Sequence, residues 1–140
     1  RPGGRMNTRE HVEALFRRLL QSGRLEVLPR NPEHLDTMLA VAAGGLIRRR
    51  PHAESEVNEV LADWLRSVRA DIDHVTLRRR MVDCGFLKRT ADGSRYFLNY
   101  GRVAGVLGDP AIKVDVGAVA DDVLFERESR KHVYLRQAGV

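Results

Sequence analysis

The change of hydrophobic period near Gly85 constrains the fold of this chain more than any other feature. Residues 72–84 carry apolar side chains at helical spacing, and the glycine that follows supplies the left-handed backbone with which many helices end. The next residues, 86–90 and 95–100, are strand-like and are joined by Ala91-Asp-Gly-Ser94. Because Asp-Gly between two such runs is a strong hairpin signal, we expect a helix that leads directly into a β-hairpin.

Two helices are predicted toward the start of the chain. The first covers residues 7–22, where Asn7 can cap the helix and Glu10, three residues later, completes a capping-box pattern. The second begins at Pro32, a residue that is favoured in the first turn of a helix. It ends where Gly44-Gly45 interrupts the apolar repeat.

A further helix is predicted after the Pro32 helix and before helix 72–84, and it has the most regular apolar pattern in the chain. We expect Ser55 to cap it. Its apolar side chains follow the spacing of a single helix face: Val57, Val60, Leu61, Trp64, Leu65 and Val68. The resulting order of helix, helix, helix and hairpin is that of a winged helix. We therefore predict an α+β fold, a winged helix-turn-helix with an extra N-terminal helix and a C-terminal extension.

The remaining segments have weaker patterns. Residues 25–28 form a short apolar run, for which we expect a strand. Ile112, Val114 and Val116 alternate with charged residues, which also indicates a strand. Residues 119–135 fit either a charged helix or a final strand, and the pattern does not decide between them.

Three regions follow from these assignments. Residues 1–24 hold the N-terminal helix, residues 25–100 form the winged-helix domain, and residues 101–140 form an extension for dimerisation or partner binding. Residues 1–5 precede Met6 and are expected to be a vector-derived remnant.

The placement of charge says more about function than its total. The formal net charge is +5, which favours a polyanionic partner only in a general way. Between Arg78 and Arg95, however, six basic residues stand against two acidic ones. Such a concentrated basic segment is typical of a nucleic-acid-binding surface.

The three consecutive arginines of helix 72–84 are predicted to differ in role. At about 100° per residue, Thr76, Arg79 and Arg80 point away from the apolar arc of the helix. Arg78 falls inside that arc. We therefore expect Arg78 to reach a carboxylate on a neighbouring element and to hold the helix in place.

The exposed side chains have chemistry suited to duplex DNA. Arginine can donate two hydrogen bonds to phosphate or to the edge of guanine, and threonine can contact phosphate or a thymine methyl group. In a winged helix the exposed face of this helix enters the major groove, and the hairpin contacts the flanking backbone. The predicted binding residues are Thr76, Arg79, Arg80, Lys88, Arg89 and Arg95.

Three other interpretations remain open at this stage. A helix with arginine on its outer face is often only a solvated surface, and Asp73 and Asp83 could neutralise this one. The same basic face could dock a protein partner, since fold does not fix function. It could also bind structured RNA or the ribosome.

Several segments of the chain resemble one bacterial family. They are Leu28-Pro-Arg-Asn-Pro32, Glu54-Ser-Glu-Val-Asn58, Thr76-Leu-Arg-Arg-Arg-Met-Val-Asp-Cys-Gly-Phe-Leu-Lys-Arg89 and Asp92-Gly-Ser-Arg-Tyr96. The family is catalogued as domain of unknown function 2087, and its members are usually labelled transcriptional regulators. The resemblance covers residues 25–100 and implies a winged helix with a regulatory role. This chain has Tyr96-Phe97 where the family usually has a pair similar to Tyr-Trp.

No motif in the sequence recommends an enzyme. The five histidines show no metal-ligand spacing, and phosphate-loop, dinucleotide and nucleophile-elbow motifs are absent, so we expect no catalytic residue, cofactor or metal. Each histidine is expected at the surface or just beneath it. The single cysteine, Cys84, excludes a disulfide or cysteine-based zinc site within one chain. Its place near a helix C-terminus disfavours a reactive thiolate.

We expect a cytoplasmic homodimer that binds double-stranded DNA. The sequence contains neither a run of ~20 apolar residues nor a secretory leader. A dimer can read two half-sites, and apolar residues within 12–20 and 103–135 could form its interface. Alternatively, these residues simply pack against their own chain.

Overall fold

The computed structural model describes residues 8–109 and 111–137. Helices and a small sheet alternate along this part of the chain. In order they are α1 (Arg9–Leu19), α2 (Pro32–Ala42) with a 3-10 turn (Ala43–Gly45), β1 (His52–Ala53), α3 (Glu54–Ser67), α4 (His74–Asp83), β2 (Leu87–Arg89), β3 (Arg95–Leu98), α5 (Tyr100–Leu107) and α6 (Val116–Gln137).

The three strands form one antiparallel sheet in the order β1-β3-β2. β2 and β3 are the predicted hairpin, in which Lys88 lies opposite Phe97 and Arg89 lies opposite Tyr96. β1 adds two residues to the other edge of β3, where His52 pairs with Tyr96. The succession of α2, β1, α3, α4, β2 and β3 fits a winged-helix-like α+β fold, and the predicted fold class is confirmed.

A single hydrophobic core joins the helices to the sheet. Its largest fully buried side chains are Phe16, Phe86, Leu20, Leu25, Met38, Leu39, Leu61, Leu77, Met81 and Leu87. The stripe predicted on α3 supplies Val57, Leu61 and Leu65 to this core. Apolar residues of α1 and of the first half of α6 belong to the same cluster. Both α1 and the first half of α6 therefore pack against their own chain.

The first turns of three helices differ from the sequence expectations. The predicted cap Asn7 lies outside the described residues, and α1 begins after Thr8, whose hydroxyl accepts from the His11 backbone N–H. Ser55 does not cap α3, which follows Ala53 without a side-chain cap. The reason is that β1 leads directly into this helix. Residue 72 lies outside α4, because the Asp73 carboxylate accepts from the Thr76 N–H and caps a helix that begins at His74, two residues later than predicted.

Two predicted strands are wrong. In the segment 25–28, only Leu25 is held in a strand-like way, by hydrogen bonds with Val68 and Asp71 in the turn between α3 and α4. The alternating residues 112–116 lie beside no strand, and Asp115 instead accepts from the Ala118 N–H in the first turn of α6. A run of alternating residues forms a strand only where a sheet edge is available to pair with it.

The end of the hairpin and the final segment also differ from expectation. β3 stops at Leu98 and does not continue to Tyr100, because the Asn99 side chain accepts from the Arg102 N–H and starts α5. The choice left open for residues 119–135 resolves as a helix. In the described part of the chain, no helix combines the length and apolar character that a membrane span requires.

The first half of α6 is anchored to the body of the protein. Its buried residues Val116, Val119, Ala120 and Val123 lie on one face. The Arg17 guanidinium contacts both Glu126 carboxylate oxygens, at 2.6 and 2.7 Å. Arg69 donates to Asp121 at 2.7 Å. These contacts fix α6 against α1 and the end of α3.

The Gly44-Gly45 pair provides a matched test of packing near α3. A Cβ atom on Gly45 would lie 2.8 Å from the Val60 Cγ1 atom, whereas one on Gly44 would meet nothing within 4 Å. Because valine is stiff about its first side-chain torsion, we expect Gly45→Ala to lower the free energy of unfolding by about 1–3 kcal/mol. Gly44→Ala should change it by less than about 0.5 kcal/mol. Urea unfolding of both variants measures the difference, and equal losses would contradict the steric explanation.

Candidate nucleic-acid interface

The helix α4 is fixed at both ends. At its N-terminus the Asp73 side chain accepts from the Thr76 N–H at 2.8 Å, and this bond lowers the pKa of Asp73. At its C-terminus Gly85 has a φ of 83°, and the Arg102 Nε atom donates to the Cys84 carbonyl at 3.0 Å. Arg102 also pairs with Asp36 at 3.0 Å and thereby ties the end of α4 to α2. Contacts at both ends therefore hold the backbone of α4 in place.

The two faces of α4 separate as the sequence predicted. Leu77 and Met81 are fully buried. Thr76, Arg79 and Arg80 are exposed. Within residues 8–109 and 111–137, neither Arg79 nor Arg80 forms an ion pair or a side-chain hydrogen bond. The C-terminal helices leave this outer face open.

Arg78 lies where the sequence predicted, against a neighbouring helix. Its guanidinium donates to the Asn58 side chain and lies 3.8 Å from a Glu54 carboxylate oxygen, both on α3. The same carboxylate accepts from the Tyr96 hydroxyl at 2.9 Å. The Arg78 side chain is only 13% exposed. This network joins α3, α4 and β3 and gives Arg78 a structural role.

The turn of the hairpin is fixed by one carboxylate. Asp92 accepts from the Thr90 hydroxyl at 2.7 Å and from the Ser94 hydroxyl and N–H at 2.8 and 3.0 Å. These hydrogen bonds lower the pKa of Asp92 to about 2. Gly93 supplies the φ of 75° that the turn requires. Asp92 is thus used by the turn, and it does not form an ion pair with a neighbouring arginine.

The predicted basic residues of the hairpin lie on two faces. Because side chains alternate along a strand, Arg89 shares the side of Leu87 and the buried Tyr96. Lys88 and Arg95 lie on the outer side of the sheet with Phe97, which is 39% exposed. All six predicted binding residues are exposed. Of the three that lie on the hairpin, only Arg89 is on the side that faces α4.

A groove of about 350 Å³ separates α4 from the hairpin. Arg79 enters it from the helix and Arg89 from β2, where the Arg89 guanidinium also donates to the Gly93 carbonyl at 3.1 Å. Glu54 and Asp83 line the groove as well. Glu54 is engaged by Arg78 and Tyr96, whereas Asp83 has no ion pair in the described part of the chain. The lining of the groove therefore contains both basic and acidic side chains, with Arg79 and Arg89 on opposite elements.

Two contributions to this site were missed at the sequence level. Tyr96 forms the floor of the groove, with the Arg78 and Arg89 guanidinium groups 5.9 and 5.5 Å from its ring centre. Arg102 fixes the end of α4 from a helix that the sequence did not predict. The position of Arg78 inside the apolar arc indicated the network that contains Tyr96. No local pattern in the sequence indicates the contact that Arg102 makes with the end of α4.

Among the histidines and the cysteine, only His52 is fully buried. His52 is buried beneath the surface, with its Nε2 atom 2.9 Å from the Ile47 carbonyl. Its Nδ1 atom lies 2.9 Å from a Glu56 oxygen, off the direction of a well-aligned hydrogen bond, and this contact lowers the pKa of Glu56. Burial, followed by the charge of Asp36, raises the pKa of Cys84. No group of three metal-ligating side chains occurs among the described residues.

A family model matches a little more than half of the chain. A family described as "Uncharacterized protein conserved in bacteria (DUF2087)" matches residues 24–98, which are 75 of the 140 residues. The match includes α2, α3, α4 and the hairpin and leaves out α1, α5 and α6. No curated protein and no solved structure matches the chain.

Proposed function

This chain belongs to the DUF2087 family of uncharacterised bacterial proteins, and we propose that it is a transcriptional regulator that binds duplex DNA through α4 and the hairpin. In this proposal the outer face of α4 contacts the major groove, and the hairpin contacts the adjacent backbone. The regulatory role rests on the resemblance of the chain to proteins labelled as regulators. A cytoplasmic location belongs to the same proposal, since that is where a bacterial regulator meets chromosomal DNA.

The observation that carries the proposal is that Arg79 and Arg80 are exposed on α4 and form no ion pair in the described structure. A guanidinium that is neutralised by a neighbouring carboxylate has little charge to offer a phosphate, but Arg79 and Arg80 have no such partner in the described structure. Both ends of α4 are capped, so little conformational entropy is lost when the helix binds. At about 1.5 Å per residue, ten residues span ~15 Å and can lie in a major groove ~12 Å wide.

The groove beside α4 supports the same orientation. A DNA phosphate between Arg79 and Arg89 would receive charge-assisted hydrogen bonds from two elements at once. Lys88 and Arg95, on the outer face of the hairpin, would then meet a more distant phosphate or the minor groove. We therefore expect unequal contributions, larger from Arg79, Arg80 and Arg89 than from Lys88 and Arg95.

Salt-dependent binding to mixed-sequence duplex DNA tests the proposal. By fluorescence anisotropy, we expect binding at low salt and a logarithmic dependence on salt concentration with a slope of about −3 to −5, as for three to five neutralised phosphates. No binding at 20 mM salt, where phosphate contacts should be strongest, would contradict the proposal. An RNA duplex of the same sequence is the control: tighter binding to RNA would favour an RNA-binding factor instead.

A further inference from the structure

The second half of α6 extends beyond the body of the protein. The Arg127 guanidinium donates to the Gln21 carbonyl at 3.1 Å. After that contact, residues 128–137 are all exposed and form no hydrogen bond or ion pair with the rest of the described chain. At about 1.5 Å per residue, this segment projects by ~15 Å. A helical segment of this length gains little stability in water unless it packs against something.

One face of the projecting helix has the spacing of a helix-pairing seam. Phe125, Glu128, His132 and Leu135 are separated by three, four and three residues, and at about 100° per residue they fall within an arc of about 80°. Phe125 is 64% exposed and Leu135 is 39% exposed. The arc is opposite the face that carries Val119 and Val123, by which α6 packs on the body. The seam is therefore directed away from the protein's own core.

The charges of α6 are divided between its two halves. Residues 116–128 contain four acidic residues and one arginine, a net charge of −3, and residues 129–137 contain two arginines and one lysine, a net charge of +3 with histidine neutral. Asp121 and Glu126 are paired within the chain, which leaves Asp122 and Glu128 as the free acidic groups. Arg130, Lys131 and Arg136 are exposed and form no ion pair in the described structure. Such a helix is complementary to a copy of itself in the opposite direction.

We propose that this face of α6 pairs with α6 of a second copy of the chain in an antiparallel arrangement. Phe125 then packs against Leu135 of the second copy, and Glu128 lies beside His132 and Lys131 of the second copy. A parallel arrangement would place like charges together, which disfavours it. Because each chain gives the same surface, the pair closes as a symmetric dimer and does not grow further. The proposal does not depend on DNA binding.

Sedimentation velocity over a range of protein concentrations tests the dimer. The contact is small and has polar positions in its seam, so we expect half-dimerisation on the order of 1–100 µM. Phe125→Glu should raise that concentration by at least about 10-fold. Tyr134→Glu is the matched control, because Tyr134 is 70% exposed but lies on the opposite side of the helix. A monomeric parent chain at 300 µM, or equal losses in the two variants, would overturn the proposal.

Charge exchange tests what directs the pairing. An acidic variant (Lys131→Glu with Arg136→Glu) and a basic variant (Asp122→Lys with Glu128→Lys) should each remain monomeric, while an equimolar mixture should form a heterodimer. All four side chains are exposed and lack ion pairs in the described structure, so folding should be unaffected, and circular dichroism checks this. A mixture that stays monomeric would contradict pairing through α6.

Disulfide cross-linking tests the direction of the two helices. In a background of Cys84→Ser, Ser129→Cys should form a disulfide-linked dimer, because position 129 lies close to the centre of the antiparallel pair. Asp122→Cys should not, since the two copies of that position would be roughly 24 Å apart along the helix axis. Cross-linking of both variants with equal efficiency would indicate a parallel pair and overturn the antiparallel arrangement.

Discussion

Replacing Arg79 and Arg80 together with alanine should weaken duplex DNA binding by at least about 30-fold and leave the melting temperature unchanged. Each arginine can make a two-bond contact worth about 1–3 kcal/mol, and the two act from the same exposed face of α4. Because neither side chain has a hydrogen-bonding partner in the described structure, its removal breaks no internal contact. Anisotropy titrations and thermal unfolding measure the two quantities.

Two comparisons distinguish this effect from a general loss of charge or of structure. Arg18→Ala with Arg30→Ala removes the same charge from exposed positions outside α4 and the hairpin, and it should weaken binding much less. Arg78→Ala should instead lower the free energy of unfolding by about 1–3 kcal/mol, because it leaves Asn58 and Glu54 without their partner. Equal effects of all three arginines on the melting temperature would refute this division.

Phe16→Ala should remove about 3–5 kcal/mol from the free energy of unfolding. Phe16 is completely buried, and its ring lies edge-on to Trp64 of α3, with 6.1 Å between the ring centres and 72° between the planes. The surrounding helices are held by several other contacts and cannot collapse fully into the cavity. Urea unfolding followed by Trp64 fluorescence measures the loss.

The Phe16→Ala variant also tests whether α1 is part of the same folded unit as residues 24–98. Phe16 precedes the residues that match the family, so a large loss would show that the matched segment 24–98 shares its core with α1. Phe125→Ala is the control, at a protein concentration far below the half-dimerisation value, where the chain should be monomeric. Because Phe125 is mostly exposed, its truncation should cost less than about 0.5 kcal/mol. A similarly small loss for Phe16→Ala would mean that α1 is dispensable.

The central elements could be predicted from the sequence because their signals are local. The apolar stripe of α3, Gly85 after α4 and Asp92-Gly93 in the turn each specify backbone geometry within a few residues. The outward direction of Arg79 and Arg80 followed from helical periodicity alone. Such features depend little on the remainder of the fold.

Features that depend on distant partners were not predicted. β1 has only two residues and exists because β3 offers an edge with which it pairs, and the alternating residues 112–115 pair with no described strand. The role of Arg102 depends on the approach of α5 to the end of α4. The division between Lys88 and Arg89 was within reach of the sequence, since adjacent residues of a strand point to opposite sides.

The junction at Asn99 couples the hairpin directly to α5. A single residue, Asn99, separates β3 from α5 and forms two hydrogen bonds with the segment before β2. Its N–H donates to the Phe86 carbonyl at 2.9 Å, and its side-chain amide donates to the Gly85 carbonyl at 2.8 Å. This one-residue connection leaves little freedom for the hairpin to tilt relative to α5. Because α5 carries Arg102, the hairpin is connected in turn to the Arg102–Asp36 pair, at 3.0 Å. Through this pair, the hairpin is linked by way of α5 to α2, so that elements distant in the sequence share one continuous connection.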